Sequence, residues 1–281
     1  MSGRLNRSLV IGMALLACSA CGNRSPVGAT DSAPPAADAT PAEPESPPDA
    51  AAILKAMAAH LASLENFSCT TRNRYEVLQA DGRKIEFGEI RHISVARPDR
   101  LRVEEVASDG QQDLALFDGK LVTVFNADAG VYAQAPQPAS VDDALAYFVR
   151  DLHMRMPLAQ MLSTRVGTEL PEMVKEVDYV EWTEMLGVPA HHIAGRTDSV
   201  DFQFWISDGE HPFPLRVVLT YREAPGQPQF RADISDWTTS PKFTNTTFQL
   251  ALPKDARQIL FLVQLQSPGG APTASSGEVK P

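Results

Sequence analysis

The sequence predicts a mainly β protein with some α: one curved antiparallel sheet of about ten or eleven strands, with helices packed on its concave face. Three observations carry this. Most of the chain beyond residue 65 alternates apolar and polar residues with period two, and turn sequences rich in Asp, Asn and Gly separate the alternating runs. Two helical stripes interrupt the pattern, one before the strands and one midway. Helices set inside a long meander need a surface to pack on, and a strongly curved sheet offers its concave side.

The chain opens as an export signal, residues 1–17. Arg4 and Arg7 precede an apolar and small-residue run from Leu9 to Ala17, far short of the roughly 20 apolar residues of a membrane span. Leu15, Leu16, Ala17 and Cys18 resemble the lipobox of bacterial lipoproteins, which implies cleavage before Cys18 and lipid attachment to it. Cys21 fits that pattern less well, because Cys18 occupies the place three residues before it. An ordinary cleavage after Ala17 or Ala20, releasing a soluble periplasmic protein, stays open as the alternative. Ser19 follows the cysteine where an inner-membrane retention signal would have aspartate, which favours the outer membrane. From Cys18 to Asp49 the chain is a Pro/Ala-rich tether whose only large aliphatic residue is Val27. Such a composition cannot bury enough surface to offset its ordering entropy. Residues 265–281 have the same character, which leaves one folded domain at 50–264.

That domain begins with AAAILKAMAAHLASLENF, where Ile53, Met57, Leu61 and Leu64 form one helical face behind Asp49 as N-cap. Period-two runs follow. In LRVVLTYRE, Leu215, Val217, Leu219 and Tyr221 share a face; in DFQFWISDG, Phe202, Phe204 and Ile206; in FRADISDW, Phe230, Ala232 and Ile234. The turns ADGRK, FDGKL, NADAGV, SDGEHP and EAPGQP join such strands into hairpins. The interruption is SVDDALAYFVRDLHMRMPLAQMLS, with Ser140 and Asp143 at capping-box spacing and Leu145, Phe148, Val149 and Leu152 on one stripe. A second short helix near Pro157 carries Leu158, Met161 and Leu162. The expected order is therefore one helix, about four or five strands, two helices, and about five or six strands.

A formal net charge of -10 excludes nucleic acid as a partner. It also means that a lipid anchor, not a basic patch, must hold the protein to an anionic membrane. Cys69, at the start of a strand, reads as a small buried apolar residue. No catalytic constellation emerges. His191 and His192 are adjacent, so on a strand they point to opposite faces and cannot share one metal. Asp142 with Asp143, and Glu104 with Glu105, read as solvated charges. No nucleophile elbow, zinc-binding H-E-x-x-H or phosphate-binding loop occurs, so neither an enzyme nor a cofactor is implied.

VARPDRLRVEEV followed by LALFDGKLVTVFNADAGVYAQAP resembles the Arg-Pro, strand and Asp-Gly hairpin stretch of the periplasmic lipoprotein carrier LolA and its outer-membrane receptor LolB. AILKAMAAHLASLENFS, GVPAHHI, FQFWISDG and LTYREAPGQPQFRADISDW resemble a family of predicted periplasmic proteins of unknown function over nearly the whole domain. The carrier resemblance implies a half-open barrel with helices as a lid, over a cavity that in those carriers receives acyl chains. It also aligns Arg97 with an arginine implicated in lid behaviour; a strand-end arginine paired with a carboxylate is the alternative. The candidate cleft is lined by Leu101, Val103, Phe148, Met161, Phe202 and Phe204. Alternation fixes that Leu101 and Val103 share a face, and that Phe202 and Phe204 do, without saying which face is concave. Two functions follow: an envelope lipoprotein that binds a lipid or other hydrophobic small molecule, or an interaction or sensor module contacting an envelope protein on the same fold.

Overall fold

Asp49 starts the first helix. Its carboxylate accepts hydrogen bonds from the backbone of Ala51 (2.9 Å) and Ala52 (3.1 Å), satisfying two of the orphan amides of α1 (Ala50–Ser63). The buried face of α1 is Leu54, Met57 and Leu61; Ile53 is only partly buried. The computed structural model describes residues 47–264 apart from 138, 186, 245 and 263.

Six strands follow: β1 (Asn66–Leu78), β2 (Lys84–Ala96), β3 (Arg100–Ala107), β4 (Gln112–Phe117), β5 (Leu121–Asn126) and β6 (Val131–Pro136). Then come α2 (Val141–Ala146), a π-helical turn (Tyr147–Asp151), α3 (Ala159–Leu162) and α4 (Val166–Met173). Five more strands, β7 (Glu176–Met185), β8 (Val188–Arg196), β9 (Val200–Ser207), β10 (Pro214–Tyr221) and β11 (Gln229–Thr238), precede a short β12 (Arg257–Ile259). All twelve form one open sheet in the order β12-β6-β5-β4-β3-β2-β1-β11-β10-β9-β8-β7.

The architecture is mainly β, as expected, with two corrections to the count. The sheet has twelve strands, not ten or eleven, and six strands precede the helices. The surplus lies before the mid-chain helices, where four or five strands were expected, and the last of the six after them, β12, has three exposed residues and pairs parallel to β6. An exposed edge strand has no buried face, so it leaves no period-two signal. A third helix was also missed. In α4 only Val166 and Leu170 are buried, and Gly167 and Pro171 lower its helical propensity. Gly167 nevertheless has a packing role, since a Cβ there would lie 3.1 Å from the Cβ of Ala62 on α1.

The helices cover one face. Leu101, Val103, Phe202 and Phe204 all point to that side and belong to one buried core with Leu54, Met57, Phe148 and Met161. Val122 of β5 and Ile193 of β8 share this core, although a flat sheet would set their strands about 38 Å apart. Short helices reach both because the sheet curls, so the covered face is the concave one. On β8 the register sets Gly195 opposite Phe202 of β9, where a Cβ would fall 2.6 Å from the phenyl Cζ. On the outer face Leu114, Leu116 and Phe248 form a second, small core with Phe243 and Leu250. The segment after β11 thus crosses the outside of the sheet before β12 joins β6.

Candidate functional site

The concave face changes character along its strands. At one end Phe67, Val95 and Leu101 lie side by side, and Cys69, Ile93 and Val103 form the next rung. All are buried beneath the helices. One rung further, Thr71, Arg91 and Glu105 stand in register, followed by Asn73 beside Glu89, and Tyr75 beside Phe87. The helices roof only the apolar end. Beyond their edge an open cavity of about 910 Å³ is walled by Tyr75, Val103, Ala115, Val124, Tyr221 and Phe230. Met154 and Met156, from the stretch joining the π-helical turn to α3, complete it. That stretch is held in place: the Met154 amide donates to the carbonyl of Phe148 (3.0 Å), Arg91 Nη2 donates to the carbonyl of Arg155 (3.1 Å), and the Ala159 amide donates to the carbonyl of Met156 (2.9 Å).

Arg91 organises the polar wall. Its guanidinium contacts Glu89 at 2.8 Å and Glu105 at 2.9 Å, and Asn73 Nδ2 donates to Glu89 at 2.9 Å. Burial pushes the Glu105 carboxyl above the usual carboxylate range; Arg91 pulls it back, and Glu89 raises it further. Glu105 is therefore not the solvated charge expected from the sequence. Its neighbour Glu104 projects from the other face and pairs with Arg102 at 2.7 Å. Burial likewise raises the phenols of Tyr75 and Tyr221, so both keep their protons as hydrogen-bond donors at the cavity wall. The arrangement is an apolar pocket with a charged, acid-rich flank, suited to an amphiphile.

The family model for predicted periplasmic proteins (DUF2092) matches residues 50–262, from the first residue of α1 to just beyond β12. The chain belongs to this family. Among solved structures, the DUF2092 chain is similar to LprF from Mycobacterium bovis at 11% identity, covering 75% of this chain and all of that one, with a TM-score of 0.45. It is similar to the lipoprotein LppX of Mycobacterium tuberculosis at 15% identity, over 68% of this chain and 95% of that one, TM-score 0.42. The Pseudomonas aeruginosa MucA/MucB complex matches at 15% identity and TM-score 0.39, over 73% of this chain and 62% of that one. No curated protein matches the sequence.

Within this DUF2092 domain the six sequence-nominated cleft residues separate. All six are packed in the core between sheet and helices, and of them only Val103 also lines the cavity. Arg97 lies under the lid, its guanidinium against carbonyls of α1 and α3. Sequence reasoning missed Tyr75, Arg91, Met154, Met156 and Tyr221. The alternation in HMRMP was a signal for the methionines; nothing local marked the others. His191 and His192 diverge as expected: His191 meets Tyr179 and Asp208, and His192 stacks on Trp205. No cluster of three metal-ligating side chains occurs among the described residues. Among the described residues no helix is long and apolar enough to cross a membrane. Cys18 lies outside the described residues.

Proposed function

We propose that this protein is an envelope lipoprotein that binds a lipid or another hydrophobic ligand in the cavity beside its helical lid, by binding and not by catalysis. The carrying observation is the cavity itself, about 910 Å³ with Val103, Ala115, Val124, Met154, Met156 and Phe230 on its walls. This volume falls within the range of small-molecule sites. Each buried methylene contributes about 0.8 kcal/mol, so an acyl chain of about sixteen carbons contributes about 13 kcal/mol, which leaves micromolar affinity after an association cost of about 4 kcal/mol. No specific polar contact is needed for that. Acylated Cys18 would hold the domain at the outer membrane, as the lipobox resemblance implies, and mass spectrometry of the membrane-extracted protein tests this directly.

A second reading has its own observation. At the rim, Ile85 and Phe87 are each 40% exposed on the cavity side of β2, and an exposed apolar rim also suits docking of an envelope protein. Native mass spectrometry of the protein purified without its anchor separates the two. Lipid copurification, or binding of a fluorescent fatty acid or uncharged acylglycerol, supports the ligand reading. Absence of both, with no binding below about 100 µM, favours the interaction reading. Ala115→Trp, which fills the cavity, abolishes ligand binding if the pocket is the site.

A further inference from the structure

The outer face of the sheet bears a feature the cavity does not explain. Register sets Arg74 of β1 directly across from Arg231 of β11, and Val218 of β10 flanks Arg231 on the other side. Like charges in direct cross-strand apposition destabilise a sheet. A third guanidinium, Arg216, stands beside them. One carboxylate, Asp233, serves the group, 2.5 Å from Arg216 and 3.8 Å from Arg74. The nearby Glu76 is already engaged by Lys84 (2.8 Å) and by the amide of Gln229 (2.9 Å). A net positive surplus is thus concentrated on a chain whose overall charge is -10.

The site is also shaped. These three arginines line a groove of about 340 Å³ with Gln203, Gln229 and Trp205. Trp205 is clamped on its strand by His192, stacked at 3.9 Å, and carries the Arg216 guanidinium 5.7 Å from its ring centroid. That cation–π contact fixes the direction of Arg216. Arg74 is half exposed, so its donors remain open to solvent. Planar guanidiniums that converge on one small groove match the bidentate geometry of phosphate oxygens. We propose that this groove binds a phosphate-bearing anion, with Arg74 and Arg231 sharing its oxygens and Arg216 oriented by Trp205. The bound charge would relieve the repulsion that the register imposes.

The test is calorimetric titration of the full chain with pyrophosphate and inorganic phosphate at low ionic strength. The expected result is saturable one-to-one binding that raises the melting temperature. Arg74→Gln combined with Arg231→Gln weakens binding by about tenfold or more, yet without phosphate this variant melts no lower than the wild type because the like-charge pair is gone. Arg102→Gln, on the same face but outside the groove, leaves binding unchanged. Vesicles of phosphatidylcholine with and without phosphatidic acid identify the source. Binding that requires phosphatidic acid and is displaced by pyrophosphate assigns a lipid phosphate; phosphate binding without vesicle binding assigns a soluble one. No saturable phosphate binding, equal weakening by Arg102→Gln, or tighter binding of a polyglutamate peptide than of pyrophosphate overturns the proposal.

Discussion

Arg97 Nη2 donates to the carbonyl of Leu162 at 2.9 Å, tying the end of β2 to the end of α3. Its Nη1 meets the carbonyls of Leu61 (3.1 Å), Ala62 (2.9 Å) and Leu64 at the end of α1. The guanidinium lies 5.4 Å from the Phe67 ring centroid. One cation thus serves the unsatisfied carbonyls of two helices, where the helix dipole favours positive charge. Arg97→Ala is expected to cost about 2–4 kcal/mol in urea unfolding, because buried carbonyls lose their donors. Arg97→Lys recovers only part of that, since a point charge cannot fork between two helices.

Phe148 and Met156 should behave differently although both belong to the lid region. Phe148 is fully buried, so Phe148→Ala lowers stability by about 3–5 kcal/mol. Met156 is only partly buried and faces the cavity, so Met156→Ala costs under about 1 kcal/mol and weakens acyl-ligand binding instead. Denaturant midpoints and ligand titration on the same pair of variants check this.

Cys69 is a buried thiol pushed up to about 12, first by burial and then by Asp236. The thiolate is the reactive form. With Cys18 and Cys21 replaced by serine, the folded protein should not react with a disulfide reagent at pH 8. Modification should appear only as urea unfolds the domain, and a fast reaction in buffer would contradict the burial.

His60, in the last turn of α1, stacks on His211 at 5.1 Å and meets the edge of Phe213 at 4.7 Å. Burial, and then His211, hold its pKa below the ordinary 6.5. Below pH 6.5 the unfolded chain takes up this proton more readily than the folded one. Its contribution is therefore complete above pH 6.5 and is lost as pH falls through the folded value. The melting temperature should drop between pH 7 and pH 5, and His60→Gln should make that drop shallower.

Within the described residues, the sequence alone determined the elements that carry a strong local signal. Asp49 and the Ser140–Asp143 box cap their helices as the spacing indicates. Phe202 with Phe204, and Leu101 with Val103, lie on common faces. Cys69 is buried. Each of these follows from neighbours within a few residues, the range over which periodicity and capping act. Elements without such a signal escaped: β12 has no buried face, and α4 is short and contains Gly and Pro.

The tertiary structure decided which face became concave, and with it the site. Tyr75, Glu89, Arg91, Glu105 and Tyr221 come from β1, β2, β3 and β10, and meet only because the curled sheet aligns those strands. Whether an inward residue joins the core or lines the cavity depends on where the helices stop. Leu101 and Val103 share a face on one strand and both are buried in the core, yet only Val103 reaches the cavity wall. Alternation reports the side of a strand and nothing about the distance along it to a lid. The apposition of Arg74 and Arg231, residues 157 positions apart in number, is likewise a product of register. Pairing between distant strands is settled by burying the whole inner face at once, and no local stretch of sequence records it.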